Sequence, residues 1–206
     1  MQPTIAALIP AAGQSRRMGC CKLLLPLPDQ AGREQPVIGR CLETLQKAGI
    51  HDIVLVLGEP YGPDIRDAAA PYGATVAWNP EPASDMAASL RCGLPLLPPD
   101  ASGILVFVPD YPLVQPATVR LLLERHRQMP DAILIPTLEG RKGHPILLPV
   151  AILAQLPHHP TLRDVIRAHH HQIRYLSTFD QGTINDLDTP QDYGHVLATA
   201  NTPGTR

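Results

Sequence analysis

The chain has 206 residues, 44% of them hydrophobic and 17% charged, which is the balance of a globular protein with enough length to bury a sizeable core. A formal net charge of −2, one Trp and two Phe exclude a global field for nucleic acid or anionic membrane and an aromatic platform for single strands. Any anion must therefore be held by a local cluster of residues.

In chain order, TIAALI (4–9) reads as a first strand and is followed by the loop PAAGQSRRMGCCKLLLPLP (10–28). VIGRCLETLQKAG (37–49) predicts a helix with Val37, Cys41, Leu42, Leu45 and Ala48 on one face and Gly49 as its stop. DIVLVLG (52–58) is continuously apolar and predicts a strand covered on both faces. A short helix over 61–71, a strand ATVAW (74–78) and a helix over 86–97 come next. GILVFVPD (103–110) is the strongest strand pattern and PATVRLLLERHRQ (116–128) the strongest helix, with Pro116 suited to its first turn. The strand AILIP (132–136), the polar loop LEGRKGHP, the strand PILLP, a helical pair across 149–170, the strand-like IRYLST (173–178) and a final segment 183–200 complete the chain.

Strands alternating with helices predict an α/β fold, with a mostly parallel sheet covered on both faces and ligands at the carboxyl ends of the strands. We read residues 1–206 as a single domain. No basic stretch precedes a long apolar run at the start, and no apolar run approaches a membrane span, so we expect a cytoplasmic protein with neither a membrane nor a nucleic-acid partner. Cys20, Cys21, Cys41 and Cys92 form no CxxC pair or metal-ligand spacing, and we expect reduced thiols.

Four constellations carry possible chemistry. In the first loop, Ala11, Ala12 and Gly13 let backbone N–H groups approach a phosphate chain, and Arg16, Arg17 and Lys22 neutralise it; the other reading is a solvated basic loop. The spacing matches neither the P-loop nor the dinucleotide fingerprint. Asp110 falls at the predicted end of the strongest strand, either facing a cation or serving as a turn residue before Pro112. Asp186 and Asp188 in NDLDTPQDY are set for a metal or for a helix start. GRKGHP (140–145) is either a grip for a second anionic substrate or a hairpin turn. The run HHH (169–171) points in several directions on a helix and reads as a solvated helix end.

AAGQSRRMGCCKLLLP (11–26), NPEPASDMAASLRCGL (79–94), VPDYPLV (108–114), GRKGHP and DLDTPQDY (186–193), in this order, resemble the molybdenum cofactor cytidylyltransferase family and its accessory relatives for molybdenum hydroxylases. The resemblance implies a Rossmann-like three-layer α/β/α sandwich with a mostly parallel mixed sheet, of the nucleotide-diphospho-sugar transferase type. It implies transfer of CMP from CTP to the terminal phosphate of molybdopterin with release of pyrophosphate, and a transient complex with a molybdenum hydroxylase. Carried over by position, Ala11, Ala12, Gly13, Arg17, Lys22, Asn79 and Ser89 would bind the nucleotide. Arg17, Lys22 and Asp110 would be catalytic, Asp110 and Asp188 would hold Mg²⁺, and Arg141 and His144 would face the acceptor. Alanine rather than glycine at position 12 goes with CTP over GTP in this family. Three positions depart from its pattern: Asp85 replaces a glycine, Tyr111 follows the metal aspartate in place of Gln or Met, and 157–171 lacks a glycine- and aspartate-rich stretch. Two other readings are a nucleotidyltransferase using GTP or acting on a sugar phosphate, and a cofactor-delivery chaperone without catalysis.

Overall fold

The computed structural model describes residues 4–29, 32–81 and 85–200. The elements run β1 (Thr4–Pro10), β2 (Pro26–Pro28), β3 (Glu34–Pro36), α1 (Val37–Lys47), β4 (Ile53–Leu57), α2 (Gly62–Ala69), β5 (Thr75–Trp78), α3 (Met86–Gly93) and β6 (Ala101–Val106). They continue with α4 (Pro116–Gln128), β7 (Ile133–Leu138), β8 (Arg141–Lys142), β9 (Ile146–Pro149), α5 (Val150–Leu153), α6 (Leu162–Ala168), β10 (Ile173–Ser177) and α7 (Pro190–Ala200).

One sheet of eight strands has the order β10-β7-β9-β6-β1-β4-β5, with β8 paired to β7. Its β1–β4, β1–β6, β4–β5 and β7–β10 ladders are parallel, while β9 runs antiparallel between β6 and β7. Alternation along the strands separates two apolar layers. Ala7, Ile9, Leu55, Leu57, Leu105 and Phe107 pack with α1, α2, α4 and α7, and Ala6, Leu8, Val54, Val56, Ile104 and Val106 pack with α3, α5 and α6. The strand–helix alternation predicts the mostly parallel sheet covered on both faces, and the three-layer α/β/α sandwich with a mixed sheet is the one the resemblance implies.

Differences lie at the ends of elements. Helix α4 has the expected bounds, but α3 stops at Gly93 and passes into a 3-10 turn over Leu94–Leu96. Strand β6 ends at Val106, four residues before Asp110, because Pro109 has no N–H for the ladder and Tyr111 closes a turn onto the Val108 carbonyl. Asp110 is thus on a turn beyond the strand. The β2–β3 hairpin was not predicted, since its three prolines read as breakers; it pairs only Pro26–Pro28 with Glu34–Pro36. Among the described residues no helix is long and apolar enough to cross a membrane.

Candidate functional site

At the carboxyl ends of β1 and β6 lies a cavity of about 380 Å³. Its walls are residues 10–17, Lys22 and Leu23 on one side, Val108, Pro109, Asp110 and Asp188 on another, and Asp85, Met86 and Ser89 at the start of α3. The first loop leaves β1 with Ala11 N–H bonded to the Val56 carbonyl at 2.8 Å. It turns at Ser15, which takes a left-handed φ of 49° and accepts a hydrogen bond on its Oγ from Lys22 N–H at 3.2 Å. A Cβ built on Gly13 meets nothing within 4 Å, so the protein itself places no packing demand for glycine there.

Four charges meet at the cavity wall. Lys22 Nζ lies 2.9 Å from both Asp110 Oδ2 and Asp188 Oδ1, and Arg17 Nη2 lies 2.7 Å from Asp188 Oδ2. Burial is the largest influence on Asp110 and pushes its carboxyl above the usual carboxylate range; Lys22 pulls it down, while Asp188 and Asp186 push it up. Burial also opposes ionisation of Asp188, but Lys22 and Arg17 outweigh it and hold that carboxyl below the usual range. The two carboxylates are hard oxygen donors converging on one cationic centre. Among the described residues no group of three or more His, Cys, Asp or Glu is arranged for a metal ion.

The carboxylate wall is held by bonds from distant parts of the chain. Leu187 N–H donates to the Asp110 carbonyl at 2.8 Å, tying the two aspartate segments together. Asp180 Oδ2 accepts from Gln115 N–H (2.8 Å) and Thr118 Oγ1 (2.6 Å), and its Oδ1 accepts from Gly182 N–H (2.9 Å). A Cβ on Gly182 would run into the backbone of Leu113. From α1, the Cys41 thiol donates to the Pro109 carbonyl at 3.6 Å and Thr44 Oγ1 to the Val114 carbonyl at 3.3 Å. Thr189 and Asp192 form a reciprocal cap at the start of α7, with Thr189 Oγ1 accepting from Asp192 N–H (3.3 Å) and Asp192 Oδ2 accepting from Thr189 N–H (2.8 Å). Thr189 therefore does the capping, and Asp188 is left to face Lys22 and Arg17.

The structure brings Ala11, Ala12, Gly13, Arg17, Lys22, Ser89, Asp110 and Asp188 to this cavity and leaves three other candidates off it. Asn79 is buried behind the wall, donating to Ser89 Oγ at 3.1 Å and accepting from Glu81 N–H at 2.9 Å, so it supports Ser89 instead of lining the space. Arg141 is exposed on β8. His144 is half-buried on the β7 side of Asp110 and stacks on Tyr111, with ring centroids 4.7 Å apart. Burial lowers its imidazole to about 4 against a raising influence from Asp186, and burial followed by the charges of Asp186, Asp110 and Asp188 raises Tyr111 to about 12. Asp186 is the largest of the three carboxylate influences on Tyr111 and also acts on His144, while Asp188 makes the ion pair with Lys22. The methyl of Ala12 lies against Gly58, where an added Cβ would come within 3.0 Å of it, so the residue size at 12 sets the spacing of two loops as well as the cavity width.

Asp85 caps α3 by accepting from Ala88 N–H at 2.9 Å, which accounts for a carboxylate at that position. Residues 82–84 of the second motif lie outside the described residues. The divergent 157–171 stretch packs on α3 through Arg91, whose Nη2 donates to the carbonyls of His159 (2.6 Å) and Pro160 (3.0 Å). Within HHH, His169 spends both ring nitrogens on Gln172 and Gln155 at 2.9 and 3.0 Å. The four cysteines are free thiols. Sequence reasoning missed Gly58 and Asp180; a glycine closing a strand and an aspartate preceding a Gly-Thr turn were the only signals.

Several known proteins share this architecture. A structure of Rv0371c from Mycobacterium tuberculosis H37Rv superposes with a TM-score of 0.81 at 29% identity, covering 96% of this chain and 100% of that one. The same protein in complex with manganese gives 0.75 at 28% identity, covering 97% and 100%. A nucleotidyl transferase from Methanothermobacter, at 21% identity and a TM-score of 0.79 over 96% and 97% of the two chains, shares the fold. The bifunctional protein GlmU of Clavibacter sepedonicus is 34% identical over 131 residues, which are 61% of this chain and 25% of that protein, so the chain spans about a quarter of this relative. The model of the MobA-like NTP transferase domain matches residues 7–173. With the cavity at the carboxyl ends of β1 and β6, this match over most of the chain places the protein in the MobA-like NTP transferase domain family.

Proposed function

We propose that this protein is a cytoplasmic nucleotidyltransferase that moves CMP from CTP to the terminal phosphate of molybdopterin, a phosphorylated pterin, and releases pyrophosphate. The observation that carries the reading is the convergence of Arg17, Lys22, Asp110 and Asp188 beside the bare backbone of residues 11–13. A terminal phosphate oxygen of the acceptor attacks the α-phosphorus of CTP, and the bond to the β-phosphate oxygen breaks in line, with its electron pair leaving on pyrophosphate. Positioning and charge neutralisation supply most of the acceleration in such a transfer. Backbone N–H groups of Ala12 and Gly13 hold the phosphate chain, that of Ala11 being bonded to Val56, and Lys22 and Arg17 neutralise the leaving pyrophosphate. Ser89, braced by Asn79, and Ala12, braced by Gly58, shape the nucleotide end. Arg141 and His144, on the β7 side of Asp110, face the acceptor.

Asp110 and Asp188 fit a Mg²⁺ ion, since two carboxylates are the share of ligands a protein commonly gives Mg²⁺ when phosphate oxygens supply others. When bound there, Mg²⁺ supplies positive charge to the phosphate oxygens. The manganese complex of Rv0371c supports a divalent ion in this family. The product would pass to a molybdenum hydroxylase in a transient complex. Incubation with Mg²⁺, each NTP in turn and either molybdopterin or a sugar phosphate as acceptor, followed by mass analysis, tests the reading. A pterin dinucleotide carrying CMP is expected. Product only with GTP would overturn the base assignment, product only with a sugar phosphate the acceptor, and no transfer to any acceptor the activity.

A further inference from the structure

The four charged groups that the proposed reaction needs for its ligands are bonded to one another in the protein alone. Lys22 Nζ bridges Asp110 and Asp188 at 2.9 Å each, and Arg17 covers the other oxygen of Asp188 at 2.7 Å. Two positive and two negative charges close into a chain with no net charge. The Lys22 side chain is 13% exposed and those of Asp110 and Asp188 are 28% and 24% exposed, so solvent screens these pairs only in part.

The consequence differs for each ligand arriving alone. A divalent cation meets two carboxylates already neutralised, with an ammonium at the point where they converge. Among the described residues no third His, Cys, Asp or Glu joins them to compete with that ammonium. A triphosphate alone meets cations that are engaged and two carboxylates that repel it. Arriving together, each ligand frees the groups that the other needs: the cation takes the carboxylates, and the flexible four-carbon stem of Lys22 turns its ammonium to phosphate. The carboxylates are short side chains on a wall fixed by Asp180, Leu187 and α1, so the lysine is the part that moves.

We propose that Lys22 is a built-in counter-ion for the Asp110–Asp188 pair, and that the site for this reason takes a divalent cation and a nucleoside triphosphate as one complex while binding either alone weakly. The proposal rests on the nucleotidyltransferase reading and adds to it a second state for Lys22, in which the lysine excludes the free cation.

Titration of the full chain with Mn²⁺, read as free Mn²⁺ by electron paramagnetic resonance, tests it with and without α,β-methylene-CTP. The wild type should bind Mn²⁺ weakly alone and about tenfold more tightly with saturating analogue, beyond the affinity of the two in solution, within the 5–150-fold range usual for coupled sites. Lys22→Met should bind Mn²⁺ alone about tenfold more tightly than the wild type while binding the analogue more weakly. Arg17→Ala should shift Mn²⁺ in the same direction by less, and it serves as the second variant should Lys22→Met lose its circular dichroism spectrum. Unchanged or weaker Mn²⁺ binding in the folded variants, or no coupling in the wild type, overturns the counter-ion role. Absence of any analogue binding to the wild type, with or without Mn²⁺, overturns the nucleotidyltransferase reading instead.

Discussion

The two sides of the cavity are built by opposite means. Apart from Ala11 N–H on the Val56 carbonyl of β4, the backbone of the cationic loop, residues 11–22, is tethered within the loop, by Met18 N–H on the Ser15 carbonyl and Lys22 N–H on Ser15 Oγ. The carboxylate wall is assembled from 109–115 and 180–188 and held from α1, α4 and the β8–β9 turn, where His144 N–H donates to the Thr183 carbonyl at 2.8 Å. Long-range bonds of this kind fix the aspartates, while Arg17 at 70% side-chain exposure stays adaptable. One half of the site is a rigid template for cations and the other an adjustable clamp for anions.

The sharpest way to break this comparison is Asp110→Ala. It should lower kcat for pyrophosphate release on the order of a thousandfold, as removal of a key electrostatic group does, and wild-type turnover would end the assignment. Gly182→Ala should come next, costing about 3 kcal/mol or more in urea unfolding because its Cβ has no room against Leu113. Asp180→Ala strips acceptors from two backbone N–H groups and a hydroxyl, at about 1–3 kcal/mol by the same measurement, and should weaken Mn²⁺ binding with nucleotide present. Gly13→Ala is the counterpart on the loop side. Its stability should stay within about 0.5 kcal/mol of wild type while nucleotide affinity falls, and a large loss of stability would contradict the open space at that position.

The smallest effect is a slope with pH. Burial lowers His144 from 6.5 to about 4 and also lowers His126. Between pH 6.5 and 4 the unfolded chain binds a proton at position 144 that the folded one refuses, so stability is full above 6.5 and declines as pH falls through this window. Thermal melts from pH 7 to 4.5 should show a shallower decline in His144→Gln than in the wild type. An equally steep decline would mean that the Tyr111–His144 stack is not the source.

Local signals made much of the fold legible. The continuous apolar run at 52–58, the strand pattern at 103–110 and the helical spacing in 116–128 reappear as β4, β6, shifted to Ala101–Val106, and α4. Proline-rich β2 and β3 were not legible, because edge pairing of such short segments depends on the Tyr193 hydroxyl of α7 bonding to the Pro26 carbonyl at 2.7 Å, and on other contacts far along the chain. At the site, Arg17 and Lys22 stand out because five residues on one loop suffice to place both. Asn79 did not behave as its motif suggested, since only the packed structure shows Ser89 between it and the cavity.

By itself the sequence determined the alternation of strands and helices, the carboxyl-end location of the polar loops, and the basic character of residues 16–22, all of which follow from periodicity and neighbours within one turn or strand. Tertiary structure alone decided that β9 enters antiparallel between β6 and β7, and that Thr189 caps α7 and leaves Asp188 free of that task. It also decided that Asp188, and not Asp186, meets Lys22 beside Asp110. The physical reason is range: those outcomes depend on hydrogen bonds and packing between segments that are remote along the chain, which no local pattern encodes.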